Sequence, residues 1–296
     1  MQTIQSYLFS QQQLLLGEGP VWHPDWRRFL YVDIEGMLVA RIDPVTGIVE
    51  ERRLPARPGA AVPAADGNLV LALQGQIALF DFALGSLRTL TPIESEDRAN
   101  RCNDAKCDPS GRLWVGTMHM EALAGRGALY CYDGSLRKAM DGRTVSNGLG
   151  WSPDGRVLYY IDSYDYAVMA YDFDPVTGAL AGGRVAVTID EPGHVPDGLT
   201  VDEEGMLWVG IWGGGCVNRY DPVSGALTAC IRVDAPQVTS CTFGGEDLDL
   251  LLITTARTGL TTQQLETYPL SGSLFFAKTG SRGLPVRYFD PASIIN

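Results

Sequence analysis

The chain has 296 residues, of which 45% are apolar and 20% charged, and its 35 acidic against 23 basic side chains give a net charge of −12. This composition is that of a folded protein with one large domain or two ordinary ones. An acidic fold repels phosphate groups, so we expect neither nucleic acid nor a membrane surface as a partner. The sequence has no signal-peptide pattern and no apolar run near the roughly 18 residues of a membrane helix.

Cysteine and histidine content limits the possible chemistry. The six cysteines form no C-x-x-C pair, which predicts buried free thiols and a cytoplasmic location. The three histidines form no H-E-x-x-H motif and cannot assemble a local three-histidine zinc site. Any bound metal must therefore be held mainly by oxygen atoms.

A turn followed by a β-rich strand recurs six times along the chain. In chain order the copies are HPDWRRFLYVDI (23–34), AADGNLVLALQ (64–74), DPSGRLWVGTM (108–118), SPDGRVLYYID (152–162), DEEGMLWVGIW (202–212) and GGEDLDLLLIT (244–254). Their turn positions are 41 to 50 residues apart, which is typical of a four-stranded propeller blade.

Each copy is followed by an alternating strand, a turn and a return strand, as in VARIDPVTGIVEERRL after the first copy and LFFAKTGSRGLPVRYF after the last. Such hairpins following inner strand pairs predict about twenty-four strands. We therefore predict an all-β fold, a six-bladed β-propeller with four-stranded blades around a central channel, as one domain over residues 1–296. Residues 3–9 are expected to pair with the last blade and close the ring.

The start of each first inner strand is the most informative position, because equivalent positions of all blades converge at one mouth of the channel. Eight residues before the turn positions stand, in order, Glu18, Gly59, Asn103, Asn147, Asp197 and Ser240. Four of these six carry ligand oxygens as carboxylates or amides. Asp or Asn before Gly is also common in turns, but turns alone do not explain the shared phase.

Carboxylate and amide oxygens without thiolate or imidazole favour one hard divalent cation, and calcium, magnesium, manganese, zinc and ferrous iron all stay open. A partly open site of this kind can polarise a carbonyl and activate water, as the hydrolysis of an ester or lactone requires. A neighbouring carboxylate could act as general base. The sequence has no G-x-S-x-G motif of a serine hydrolase and no Gly-rich nucleotide motif.

Four segments, LGEGPVWHP, RCNDAKCDPSGRLWVGTM, SNGLGWSPDGRVLYYIDS and VPDGLTVDEEGMLWVGIWGGG, resemble in order and spacing the family of gluconolactonase, regucalcin and luciferin-regenerating enzyme. The resemblance spans residues 14–290. It implies a hydrolase that opens sugar lactones, pentono- or hexonolactones, to aldonic acids. Glu18, Asn147 and Asp197 would be the metal ligands, and Asp197 would also be the catalytic general base.

The same resemblance implies substrate-binding residues. Arg101 and Asn103 would hydrogen-bond the hydroxyl groups of a small sugar lactone, and Glu121, from the following loop, would lie over the substrate. The role of Asp104 stays open between holding a second cation or a water beside the metal and capping the local turn.

Two other functions also stay open. The protein could hydrolyse an organophosphate or another ester, or it could bind calcium without turnover, since the fold alone does not decide function. Arg101 and Asn103 beside the metal ligands favour catalysis, because an ion binder needs no groups that recognise hydroxyls. The oligomeric state is left open, a monomer included.

Overall fold

Six blades surround a central channel in the computed structural model, which describes residues 1–290; positions 291–296 of the predicted domain lie outside the described residues. Two N-terminal strands, β1 (Gln2–Gln5) and β2 (Tyr7–Ser10), precede the first blade. Blades one to three follow in chain order, each from inner to outer strand: β3 (Gly17–His23), β4 (Arg28–Asp33), β5 (Leu38–Ile42) and β6 (Val49–Arg53); β7 (Pro58–Pro63), β8 (Leu69–Leu73), β9 (Gln76–Asp81) and β10 (Ser86–Pro92); β11 (Asn100–Cys107), β12 (Leu113–His119), β13 (Gly127–Tyr132) and β14 (Leu136–Arg143).

Blades four and five continue this pattern, with a short 3-10 helix at Ser163–Asp165. Their strands are β15 (Ser146–Trp151), β16 (Val157–Asp162), β17 (Ala167–Phe173) and β18 (Leu180–Thr188); β19 (Val195–Val201), β20 (Leu207–Trp212), β21 (Cys216–Tyr220) and β22 (Leu227–Arg232). Blade six contains β23 (Val238–Gly244), β24 (Leu250–Thr255), β25 (Leu274–Lys278) and β2, with helix α1 (Thr262–Thr267) between β24 and β25. The predicted six-bladed propeller is confirmed.

The inner strands are apolar because neighbouring blades cover both of their faces. All residues of β8, β12 and β23 are buried, whereas the outer strand β10 is largely exposed. Six apolar clusters fill the spaces between adjacent blades, one at each interface. Each blade is therefore stabilised by contact with its two neighbours.

The ring is closed by the N-terminal chain. Strand β2 pairs antiparallel with β25 as the outer strand of blade six, which confirms the predicted pairing with the last blade for residues 7–9. Strand β1 instead pairs in parallel with β22, as a fifth strand of blade five. Between them, Ser6 Oγ donates to Arg232 O at 2.6 Å. The N-terminal segment thus joins the last two blades.

Residues 279–290 do not form the predicted return strand of a hairpin, and that prediction is wrong. The outer position of blade six is occupied by β2, so this segment crosses one face of the propeller. Glu203 N in blade five donates to Arg282 O, and Phe289 N donates to Pro63 O in blade two, on the opposite side of the ring. The Phe289 side chain is fully buried in the cluster between blades two and three.

A buried aspartate fixes the turn between the first two strands of blades three and five. Asp108 Oδ2 accepts a hydrogen bond from Trp114 Nε1 at 3.0 Å. Asp202 Oδ2 accepts one from Trp208 Nε1 at 2.9 Å and another from Arg219 Nη2 at 2.8 Å. Both indole rings are fully buried, so these turns tie the inner strand pair to the cores between blades.

Two expectations from composition can be compared with the structure. All six cysteines are buried free thiols, as predicted. Within residues 1–290, no helix is both long enough and apolar enough to cross a bilayer.

Asp202 is expected to contribute strongly to stability. Asp202→Ala leaves the Arg219 guanidinium and the Trp208 indole N–H without their buried acceptor, so the free energy of unfolding should fall by about 3–5 kcal/mol. Glu204→Gln is the control, because Glu204 pairs with the same arginine from a side chain that is 63% exposed, and it should cost under about 1 kcal/mol. Urea unfolding measures both, and equal losses would contradict the assignment.

Candidate functional site

Every first inner strand has a register shift near its start. In blades three to five the unpaired residues include Asn103, Asn147 and Asp197, and in blade one the shift follows Glu18. A bulge of this kind re-aims a side chain out of the regular alternation and is common next to active sites. The bulges therefore allow these four side chains to converge in the channel.

Glycines that follow these residues let the inner strands approach one another. A Cβ at Gly148 would lie 2.6 Å from Asp197 O, and a Cβ at Gly198 would lie 2.1 Å from Ser240 Oγ. Real Cβ atoms do not come this close to other heavy atoms, so a side chain here would push adjacent blades apart. The convergence of the inner strands around the channel depends on these glycines.

Five of the predicted site residues line one cavity of about 330 Å³: Glu18, Arg101, Asn103, Asn147 and Asp197. They come from blades one, three, four and five, so only the folded ring brings them together. Each is 8% exposed or less. These side chains are therefore largely shielded from solvent.

Two buried aspartates hold the chain just before Glu18 and Asn147. Asp33, at the end of β4, accepts hydrogen bonds of 2.8 and 2.9 Å from the backbone N–H groups three and two residues before Glu18. Asp162, at the end of β16, accepts hydrogen bonds of the same lengths from the backbone N–H groups three and two residues before Asn147. The same interaction thus positions both side chains.

The side-chain amide of Asn147 has a buried oxygen that is available to a ligand. Its Nδ2 donates to Ser163 Oγ at 3.0 Å and to Asp197 Oδ1 at 2.5 Å, while its Oδ1 has no hydrogen-bond partner within the described residues. A cation would satisfy this oxygen together with the carboxylates of Glu18 and Asp197. These three residues therefore fit an oxygen-ligated divalent ion.

A metal ion in this cavity would need the Asn147 amide as a ligand, in addition to the carboxylates of Glu18 and Asp197. Within residues 1–290, no group of three or more His, Cys, Asp or Glu side chains is placed to hold a metal. Two carboxylates and one amide leave further positions for water or substrate, as a partly open site requires.

Burial disfavours the charged forms of the two carboxylates. It raises the pKa of Asp197 to about 8, opposed by the hydrogen bond from Asn147. Burial also raises the pKa of Glu18 well above its ordinary value, and repulsion from Asp197 and Asp104 raises it further. A divalent cation would compensate this concentration of negative charge.

Arg101 and Asn103 form a fixed polar wall of the cavity. Arg101 Nη1 donates to Asn103 Oδ1 at 2.7 Å and to Cys102 O at 3.0 Å, and Asn103 Nδ2 donates to Ser146 O at 3.0 Å. Nε and Nη2 of Arg101 make no hydrogen bond with the described residues. They are therefore available to the hydroxyl or carbonyl oxygens of a small polar ligand.

Two predicted residues, Glu121 and Asp104, do not line this cavity. Glu121 is exposed, and its neighbours Met120 and Ala122 line the cavity instead, so its contact with substrate stays a prediction. Asp104 lines a second chamber of the channel together with Lys106, on the side where residues 284–287 cross. Its role beside a metal likewise stays a prediction.

Four other polar side chains line the cavity and were not predicted from the sequence: Glu35, Ser163, Tyr164 and Thr258. The position of Ser163 in the sequence could have identified it, because it directly follows Asp162, the buried residue that anchors the chain before Asn147. Glu35 and Thr258 come from connections between strands. Their position over the channel depends on the folded ring, so no local pattern marks them.

Residues 16–257 match the family described as the SMP-30/gluconolactonase/LRE-like region. The chain belongs to this family. The resemblance in the sequence motifs is thereby confirmed, and Glu18, Asn147 and Asp197 lie within the matched residues.

Members of this family from distant organisms cover nearly the whole chain. Regucalcin of Danio rerio is 37% identical over 275 residues, which cover 91% of this chain and 93% of the relative. The "Putative sugar lactone lactonase YvrE" of Bacillus subtilis is 34% identical over 278 residues, covering 93% and 95%. A calcium-binding regucalcin from Agrobacterium tumefaciens superposes with a TM-score of 0.94 at 28% identity, covering 98% of this chain and 99% of that chain.

Asp197→Asn is expected to change how the stability of the metal-free protein depends on pH. The raised pKa of Asp197, about 8, means that the native state keeps a proton that the unfolded chain releases above about pH 4. The free energy of unfolding should therefore fall as the pH rises from about 4 to about 8. The variant lacks this carboxylate and should show a smaller fall.

Thermal unfolding of chelator-treated protein across this pH range measures the effect. Asp234→Asn is the matched control, because Asp234 is exposed, and it should retain the wild-type profile. Identical profiles for wild type and Asp197→Asn would contradict the burial argument.

Ser163→Ala is expected to weaken metal binding without disturbing the fold. The substitution removes an acceptor that orients the Asn147 amide, and loss of such a supporting contact lowers metal affinity by about 10- to 100-fold. Calorimetric titration with calcium measures the affinity. Ser135→Ala, at an exposed turn, should bind as wild type does, and unchanged affinity in Ser163→Ala would argue against the orientation proposed for Asn147.

Proposed function

We propose that the protein is a metal-dependent hydrolase that opens a sugar aldonolactone, of the pentono- or hexonolactone class, to the aldonic acid. The observation that carries this proposal is the unpartnered Oδ1 of Asn147 beside two buried carboxylates, in the same cavity as Arg101 and Asn103. A fitting cation site and groups suited to hydroxyl recognition thus share one cavity of small-molecule size.

The family relationship supports the same chemistry. The Bacillus subtilis relative carries the name of a sugar lactone lactonase, and the family description includes gluconolactonase. The Agrobacterium tumefaciens structure is described as calcium-binding, which supports a divalent ion. We infer one such ion per chain, with calcium, magnesium, manganese, zinc and ferrous iron as the candidates.

Glu18, Asn147 and Asp197 are the residues that would hold the ion. When bound, a divalent ion supplies a Lewis acid for the lactone carbonyl and lowers the pKa of a water molecule. Asn147 contributes its Oδ1, which the bonds from its Nδ2 to Ser163 and Asp197 hold in place.

The remaining steps belong to the side chains of the cavity. Asp197 Oδ2, which accepts no hydrogen bond from the described residues, takes a proton from the attacking water as general base. The water oxygen bonds to the carbonyl carbon, the ring C–O bond breaks, and the proton passes to the leaving oxygen. Arg101 donates from Nε and Nη2 to the substrate, while Asn103 holds the guanidinium in that orientation.

Calcium binding without turnover is the second candidate. The description of the Agrobacterium tumefaciens regucalcin as calcium-binding favours it. The fixed pair of Arg101 and Asn103 favours catalysis instead, because an ion alone makes no use of free guanidinium donors. Hydrolysis of an organophosphate or another ester is the enzymatic alternative.

Acid release from a panel of pentono- and hexonolactones tests the proposal. Chelator-treated protein should be inactive, and restoring one divalent metal at a time should restore turnover on at least one lactone after spontaneous opening is subtracted. Metal binding with no turnover of any ester would instead support the calcium-binding candidate. Turnover confined to simple esters or phosphotriesters would identify the enzymatic alternative.

Arg101→Ala should separate substrate binding from metal binding. Loss of the charged donors is expected to lower kcat/KM by about 100-fold while calcium affinity stays near the wild-type value. Arg98→Ala is the control, because Arg98 is exposed and does not line the cavity. Loss of metal binding in Arg101→Ala would show that this arginine supports the architecture of the site instead.

A further inference from the structure

Blade two contributes no side chain to the ring of oxygen ligands. Its equivalent position is Gly59, where a Cβ would lie 2.1 Å from Asn103 O, so the close approach of blade three excludes any side chain there. The carboxylate next to this gap is Glu35, which lines the cavity from the turn between β4 and β5 and pairs with Arg57 at the start of blade two.

Arg57 holds the Glu35 carboxylate in a fixed orientation. Its Nε lies 3.1 and 3.0 Å from the two carboxylate oxygens, and its Nη2 lies 3.0 Å from one of them. Arg57 O accepts a hydrogen bond of 2.8 Å from Gln74 N, which ties the arginine to blade two. Both charged side chains are 32% exposed, so the carboxylate remains accessible while its rotation is restricted.

The charges around the cavity indicate what kind of ligand would lie beside Glu35. The charged side chains that line the cavity are Glu18, Glu35, Arg101 and Asp197. A divalent ion would balance Glu18 and Asp197, and Arg57 already balances Glu35. The paired carboxylate therefore offers a ligand an acceptor for hydrogen bonds and little net charge.

We propose that Glu35, positioned by Arg57, is a specificity-determining residue that binds a hydroxyl group of a polyhydroxy lactone. This inference rests on the proposed lactone hydrolysis and adds a substrate-recognition residue to it. A carboxylate accepts hydroxyl protons with strong, charge-assisted hydrogen bonds. A lactone without the corresponding hydroxyl group would leave this fixed acceptor unused, which discriminates against it.

The test compares kcat/KM of the metal-loaded protein for a hexonolactone and for its monodeoxy analogues, each of which lacks one hydroxyl group. Glu35→Gln should lower the preference for the hexonolactone over the analogue that lacks the bound hydroxyl by about 10- to 100-fold, because it removes the charged acceptor. Glu50→Gln is the matched control. Glu50 forms a similar two-bond pair with Arg41, at 3.0 and 2.9 Å, away from the cavity, and its substitution should leave the preference unchanged.

A second variant, Glu35→Gln with Arg57→Gln, removes the ion pair without leaving an unpaired guanidinium and should show the same loss of preference. Wild-type calcium affinity in both variants would show that the ion ligands are undisturbed. Wild-type turnover with an unchanged preference in both variants would overturn the role of Glu35 alone. Failure of the metal-loaded wild type to open any lactone would overturn the proposed function and this inference with it.

Discussion

The burial of two carboxylates in one channel is the constraint on which the site depends. Glu18 and Asp197 are each less than a tenth exposed, and burial raises both of their pKa values. In the metal-free protein this arrangement opposes folding. The six apolar interfaces between blades supply stability that offsets this cost. The scaffold thus holds like charges together at a place where a divalent ion would relieve their repulsion.

Backbone interactions place these side chains. Asp33 and Asp162 bind the amides just before two of the ring positions, and a bulge at the start of each inner strand turns the following residues into the channel. Groups carried by strands that packing holds on both sides are positioned more accurately than groups on free loops. The geometry of the site is therefore a property of the whole ring.

The repeat made much of this arrangement predictable. Its period predicted the blades, and its phase located Glu18, Asn103, Asn147 and Asp197, because equivalent positions in a closed ring must converge. The final hairpin was predicted wrongly because residues 274–289 have the sequence pattern of a hairpin, and only the distant N-terminal strand β2 shows that the outer edge is already occupied. Glu35 was not identified because its place over the cavity depends on contact with Arg57 in the next blade. A contact between blades leaves no local sequence pattern.

The segment that crosses the propeller face has a further consequence. Residues 284–287 lie at the end of the channel away from the cavity, and their flanks are bonded to blades five and two on opposite sides of the ring. The segment therefore links opposite sides of the ring of blades, independently of the closure that β2 provides in blade six.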